Sequence, residues 1–94
     1  MSRTRVKICG VTRNEDALLA ARLGADAIGL NFHSASPRAV TVDRISAILA
    51  NLPCFISVVG LFVNPTERDV EKVIATGRID CLQFHGEEPQ SFCN

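Results

Sequence analysis

Residues 54–84 read CFISVVGLFVNPTERDVEKVIATGRIDCLQF. Cys54 to Val63 is an almost unbroken apolar run, the pattern of a β-strand covered on both faces. Asn64-Pro65 then supplies a helix N-cap followed by the proline favoured in a first turn. The helix that follows is amphipathic. Val70, Val73 and Ile74 form its apolar stripe, while Glu67, Arg68, Asp69, Glu71 and Lys72 form a charged face that reads as solvated rather than as a binding patch. Gly77 ends this helix and Ile79 to Phe84 is the next strand. A strand, a helix and a second strand in this order imply a parallel pair joined by a right-handed crossover.

The same unit recurs toward the N-terminus. Arg5 to Gly10 reads as the first strand, and Thr12-Arg13-Asn14-Glu15 matches a capping box that opens a helix running to about Leu23. Gly24 suits a left-handed C-cap, Asp26 to Phe32 is the second strand, and the polar loop His33-Ser34-Ala35-Ser36-Pro37-Arg38 is a candidate site element. Thr41 can cap a second helix whose apolar positions Val42, Ile45, Ile48, Leu49 and Leu52 follow a 3.6-residue period until Pro53 stops it. At the other end, the chain begins a fourth helix after His85-Gly86-Glu87-Glu88-Pro89, which places Cys93 in an early helical turn. Strict βαβαβαβ order leaves an α/β architecture of parallel strands, either an open doubly wound sheet or part of a (β/α)8 barrel. Periodicity alone does not choose between them.

Ninety-four residues with 47% hydrophobic side chains predict one globular domain over 1–94. Ten basic residues balance ten acidic ones, which removes the electrostatic reason to expect nucleic acid or an anionic membrane as partner and favours a small molecule. No apolar run approaches the roughly 18 residues of a membrane span, and the first strand starts too close to Met1 for a signal peptide, so a cytoplasmic protein is expected. The four cysteines, Cys9, Cys54, Cys81 and Cys93, lack CxxC spacing and are expected as free thiols rather than as a disulfide or zinc framework. Cys54, Cys81 and Cys93 read as structural.

Alternation along the strands separates their two faces. Val6 and Ile8 suit the helix layer, which puts Lys7 and Cys9 on the opposite face. Leu82 and Phe84 likewise face the helices while Cys81, Gln83 and His85 face away. Ligand chemistry in parallel α/β proteins gathers at the C-terminal ends of the strands, where Cys9, Asn31, Asn64 and His85 stand. Asn31 and Asn64 suit turns or caps, and Asn64 is left out of the site. A strand cysteine is on physical grounds more often inert core than a base; to act as a base it needs a nearby cation to favour the thiolate, and Lys7 is the candidate. His85, followed by glycine, suits a substrate contact and a structural hydrogen bond equally well.

The strings Lys7-Ile8-Cys9-Gly10 with Thr12, Gly24-Ala25-Asp26 leading into Gly29-Leu30, Ser36-Pro37-Arg38, Gly60-Leu61-Phe62-Val63 and Gln83-Phe84-His85-Gly86 together resemble the signature segments of the phosphoribosylanthranilate isomerases, in the family's order and over nearly the whole chain. The resemblance implies the first half of a (β/α)8 TIM barrel. It also implies an Amadori rearrangement in tryptophan biosynthesis, from N-(5-phosphoribosyl)anthranilate to 1-(2-carboxyphenylamino)-1-deoxyribulose 5-phosphate, without metal or organic cofactor. In such enzymes a cysteine at the end of strand one is the general base, a role the resemblance carries to Cys9. Arg38 is similar to the arginine that holds the anthranilate end, and Gln83 and His85 are carried over as substrate-facing wall residues. The family's general acid, at the end of strand five, and the phosphate-binding loops after strands seven and eight fall outside residues 1–94.

Four strands are half of a closed barrel, so the isolated chain is expected to be nearly inactive and, with open edges at strands one and four, to self-associate. Two alternatives stand beside this reading. A metal-dependent phosphosugar epimerase would need several His and Asp ligands at strand ends, where the chain offers only His33 and His85. An inactive half-barrel acting as an oligomerising module would self-associate without turnover and without any need for Cys9.

Overall fold

The computed structural model describes residues 5–33, 36–85 and 90–93, with His85 and residues 90–93 described by their backbone alone. Among them, four parallel strands alternate with three helices in the order β1 (Lys7–Cys9), α1 (Asn14–Arg22), β2 (Ala27–Asn31), α2 (Ile45–Ile48), β3 (Ser57–Val63), α3 (Glu67–Ile74) and β4 (Cys81–His85). The strands pair in sequence order. The outward residues Ile28, Leu30, Val58, Phe62 and Leu82 are buried with Ala17, Ala20, Ile45, Ile48, Leu49 and Val73 of the helical layer. Phe32, Phe62 and Phe84 stack in a row across β2, β3 and β4 with centroid spacings of 5.3 and 5.6 Å. Two aspartates lock adjacent strands at their starts: Asp26 Oδ2 accepts from the Val6 N–H at 2.7 Å and Asp80 Oδ2 from the Val58 N–H at 2.8 Å.

The helix starts differ from the sequence reading. Helix α1 begins one residue later than the expected capping box requires, so Arg13 stands at the N-cap. Arginine has no acceptor with which to cap; it pairs instead with Asp16 at 3.2 Å and Glu15 at 3.3 Å. Asn14 donates to the Ile48 and Ala50 carbonyls at 2.9 and 2.7 Å, satisfying oxygens that the short α2 leaves orphaned. Helix α3 is capped by Thr66, not Asn64, through a full capping box with Asp69. Asn64 takes a positive φ of 44°, a conformation asparagine tolerates at a strand end.

The expected long second helix is a 3₁₀ turn over Val42–Arg44 followed by one α-turn, and Asn51 at φ 61° breaks the helical path before Leu52. Thr41 does stand at its N-cap, but makes no side-chain cap. Its hydroxyl serves the Asp43 carboxylate and holds that group below the usual range. Strand β3 starts at Ser57, and Cys54 lies exposed in the preceding turn, which corrects its expected place at the start of that strand.

The fourth helix is also corrected. Gln90–Cys93 forms a strand, β5, antiparallel to β4, with Cys93 opposite Cys81. The edge of β4 carries unpaired backbone donors and acceptors that this segment satisfies. The connecting loop, Gly86-Glu87-Glu88-Pro89, lies outside the described residues.

A single contact separates a barrel from an open sheet. Lys7 Nζ donates to Gln83 Oε1 at 2.9 Å, from β1 to β4 across two intervening strands. In a flat sheet three strand steps of about 4.8 Å would hold these strands roughly 14 Å apart, with their side chains standing parallel. The contact demands a sheet curled around its inner face. It is also staggered: the ladder from Lys7 through Ala27 and Ser57 leads toward Ile79, yet Lys7 meets Gln83, further along β4. A barrel with a shear of 8 over eight strands staggers by about one residue per strand, or about three over these steps, in the same direction as and close to the offset between Ile79 and Gln83.

Candidate active site

Curling gathers the inward residues of the four parallel strands around one lumen. Cys9 ends β1 and is exposed into it. Its thiol lies beside Gly29 on β2: a methyl group at Gly29 would be in ordinary contact with Cys9 Sγ at 3.4 Å and slightly tight against Leu61 Cδ1 at 3.3 Å, so anything larger would crowd both. After Cys9 the chain turns at Gly10, whose φ of +77° suits glycine. The N–H groups of Gly10 and Val11 both point to the Gly29 carbonyl, at 3.0 and 3.2 Å.

Arg38 reaches the same point from the loop after β2. A methyl group at Gly10 would come within 2.8 Å of Arg38 Cδ and 3.1 Å of Nη1, so the arginine side chain lies against the Gly10 backbone. The loop that carries Arg38 is clamped at Asn31. Asn31 Oδ1 accepts from the His33 N–H at 2.8 Å, and its backbone carbonyl accepts from the Val40 N–H at 2.7 Å. Ser36 Oγ accepts from the Arg38 N–H at 3.2 Å. Ser34 and Ala35 of this loop lie outside the described residues.

Gln83 faces the lumen on β4, half-buried, with its oxygen committed to Lys7. That bond runs to Gln83 rather than to the Cys9 thiol. His85 ends β4 opposite Val63, and its side chain lies outside the described residues. Among the described residues no carboxylate stands within ion-pair distance of Lys7 or Arg38. Among the described residues, Lys7 on the inner face and Arg38 in the loop after β2 thus have no carboxylate ion-pair partner, an arrangement that suits a negatively charged ligand.

The sequence reading singled out Cys9 and Arg38, and the fold lays the Arg38 side chain against Gly10, the residue after Cys9. It gave Asn31 a turn-making role, which its bond to the His33 N–H bears out, but it assigned no packing role to the two glycines. The glycines were legible only as small residues beside Cys9 and on the inward face of β2; what they accommodate depends on neighbours distant in sequence.

The N-(5'-phosphoribosyl)anthranilate (PRA) isomerase family profile matches residues 6–94. The N-(5'-phosphoribosyl)anthranilate isomerase of Halorhodospira halophila is 58% identical over 91 residues, covering 97% of this chain and 44% of its own length. That of Pseudomonas savastanoi pv. phaseolicola is 54% identical over 94 residues, covering 100% of this chain and 46% of its own length. Among solved structures, a phosphoribosyl anthranilate isomerase in complex with reduced 1-(o-carboxyphenylamino)-1-deoxyribulose 5-phosphate superposes with a TM-score of 0.85 at 40% identity, over 93% of this chain and 45% of its own. The Thermus thermophilus enzyme superposes with a TM-score of 0.82 at 42% identity, over 92% of this chain and 43% of its own. The chain therefore spans less than half the length of these relatives and corresponds to their N-terminal half, the first β/α units of a TIM barrel.

Proposed function

Because the chain belongs to the N-(5'-phosphoribosyl)anthranilate isomerase family, we propose that it forms the β1–β4 wall of an active site that converts N-(5-phosphoribosyl)anthranilate to 1-(2-carboxyphenylamino)-1-deoxyribulose 5-phosphate in tryptophan biosynthesis. The observation that carries this reading is the placement of the Arg38 side chain against Gly10, the residue that follows Cys9. The Cys9 thiolate takes the proton from C2 of the ribose-derived imine. The C2–H electron pair moves toward C1 and the nitrogen, leaving an enolamine whose tautomerisation gives the ketose. Oxidation at C2 is balanced by reduction at C1, so the rearrangement is an internal aldose–ketose exchange with no external electron carrier. Arg38 offers paired N–H donors to the anthranilate carboxylate, a geometry that suits guanidinium. Gln83 and His85 complete the wall on β4. The general acid and the phosphate cradle are assigned to the part of the barrel beyond residue 94.

A chimera that joins this sequence to the C-terminal half of the Halorhodospira halophila relative provides the test, with loss of substrate fluorescence as readout. Turnover by the chimera and a fall of about 10²–10⁴-fold in kcat on Cys9→Ala are expected, the usual contribution of a positioned base. A Cys9→Ala chimera that matches its parent would remove Cys9 from the chemistry.

A second reading, an oligomerising half-barrel without turnover, is favoured by the open side of β1. There Val6, Ile8, Leu19 and Leu23 are 44, 42, 49 and 78% exposed along one apolar groove between β1 and α1.

A further inference from the structure

We propose that Lys7 is a positioning residue that fixes the Gln83 amide so that its Nε2 donates to a sugar oxygen of the bound substrate, an inference that rests on the isomerase reading above. An ammonium group is donor-only, whereas a glutamine amide carries an acceptor at one end and a donor at the other. With Lys7 Nζ 2.9 Å from Gln83 Oε1, the amide has one acceptable orientation. Turned by 180°, it would set an NH₂ group against the ammonium, donor against donor. The oxygen is therefore taken and Nε2 is directed away from Lys7.

Gln83 pairs in register with Leu61 on β3, and Leu61 and Cys9 both border the space over Gly29. The fixed N–H groups thus share the stretch of lumen in which the Cys9 thiol acts. An acceptor on the substrate's sugar chain, a hydroxyl or the ketose oxygen forming at C2, is the chemistry these donors recognise. Lys7 itself touches no substrate in this arrangement; it acts through Gln83.

The test uses the same chimera and two readouts, kcat/KM and affinity for reduced 1-(o-carboxyphenylamino)-1-deoxyribulose 5-phosphate, with thermal melting to separate folding from function. Gln83→Glu keeps an acceptor for Lys7 but loses the donor; Gln83→Leu loses both without adding charge. Both variants should lose about tenfold or more in affinity and kcat/KM, with Gln83→Glu melting no lower than its parent. Lys7→Met, which frees the amide to turn, should raise KM, and Lys7→Arg should restore it. If Gln83→Glu retains the parent's affinity while Gln83→Leu loses it, the pair is only a strut and the proposal fails. If Gln83→Glu alone is impaired, charge repulsion explains the effect and the proposal again fails. An unchanged KM in Lys7→Met removes the positioning role. In a chimera without turnover, analogue affinity reads the same outcomes, a Lys7→Met variant that binds the analogue as its parent does removing the positioning role, and in an active chimera the Cys9→Ala comparison judges the isomerase reading separately.

Discussion

At the scale of single residues, the site is shaped by side chains that are missing. Gly29 leaves room for the Cys9 thiol and Gly10 leaves room for Arg38. A Gly29→Val substitution would place branched carbon where Sγ and Leu61 Cδ1 now approach a methyl position at 3.4 and 3.3 Å. In the chimera it should cost about 1–3 kcal/mol of stability through overpacking. The loss of kcat should be larger, about 10²-fold, because small misplacements of a reacting group are severe. Melting and steady-state kinetics on the same preparation check this, and an unchanged kcat would show that the thiol has slack. Cys9 and Arg38 were legible in the sequence through the motifs around them, Lys7-Ile8-Cys9-Gly10 and Ser36-Pro37-Arg38, and not through residue type alone, since a strand cysteine is more often inert core. The packing roles of Gly10 and Gly29 were not, because what a glycine admits is decided by residues that only folding brings near.

Secondary-structure elements followed the order that periodicity predicts, with displaced ends. Two of the three capping assignments moved: α1 has Arg13, which cannot cap, at its N-cap, and α3 is capped by Thr66 with Asp69, while Thr41 keeps its N-cap position. The Asp69 carboxyl is held below its ordinary value of 3.8, first by the Thr66 backbone N–H and then by the Thr66 hydroxyl. A depressed carboxylate stabilises the folded state above its unfolded pKa, and that contribution disappears as pH falls through the lower folded value. Amide exchange in the first turn of α3 should therefore be slow near pH 6 relative to an unstructured amide, and its protection should fall below about pH 4. In Asp69→Asn the protection should be weaker near pH 6 and nearly independent of pH over that range. Equal pH dependence in both proteins would remove the box as its source. Cap identity was ambiguous in sequence because Thr12, Asn64 and Thr66 are all competent caps, and the choice among them depends on where each chain segment leaves its strand.

For the molecule as a whole, curl and edge are the decisive properties. The Lys7–Gln83 contact closes the inner face, while β1 remains an edge with a groove of half-exposed apolar side chains beside it. An apolar patch next to unpaired strand edges favours association. Produced alone, the 94-residue chain should sediment as a dimer or larger species at about 100 μM, within the range where exposed surface of this kind drives association. Leu23→Glu, at a position 78% exposed and thus outside the core, should shift it toward monomer. A monomeric parent chain would show that the groove is not an association surface. The same groove would be covered in a complete barrel, so adding the C-terminal half of a relative should suppress self-association as Leu23→Glu does.

Residue order determined the α/β rhythm, the parallel strands and the inward face of β1 and β4, because alternation and apolar periodicity are local properties of the chain; the chemistry expected of Cys9 and Arg38 came from the resemblance of the motifs that carry them. The barrel was implied by the resemblance but not by periodicity, and tertiary structure alone decided that Arg38 lies against Gly10 beside Cys9, that Lys7 serves Gln83 across the curled sheet, and that Gln90–Cys93 pairs with β4 instead of starting a helix. Each of these depends on the stagger between strands or on an edge left open beside one, and neither is encoded in the spacing of residues along a single segment.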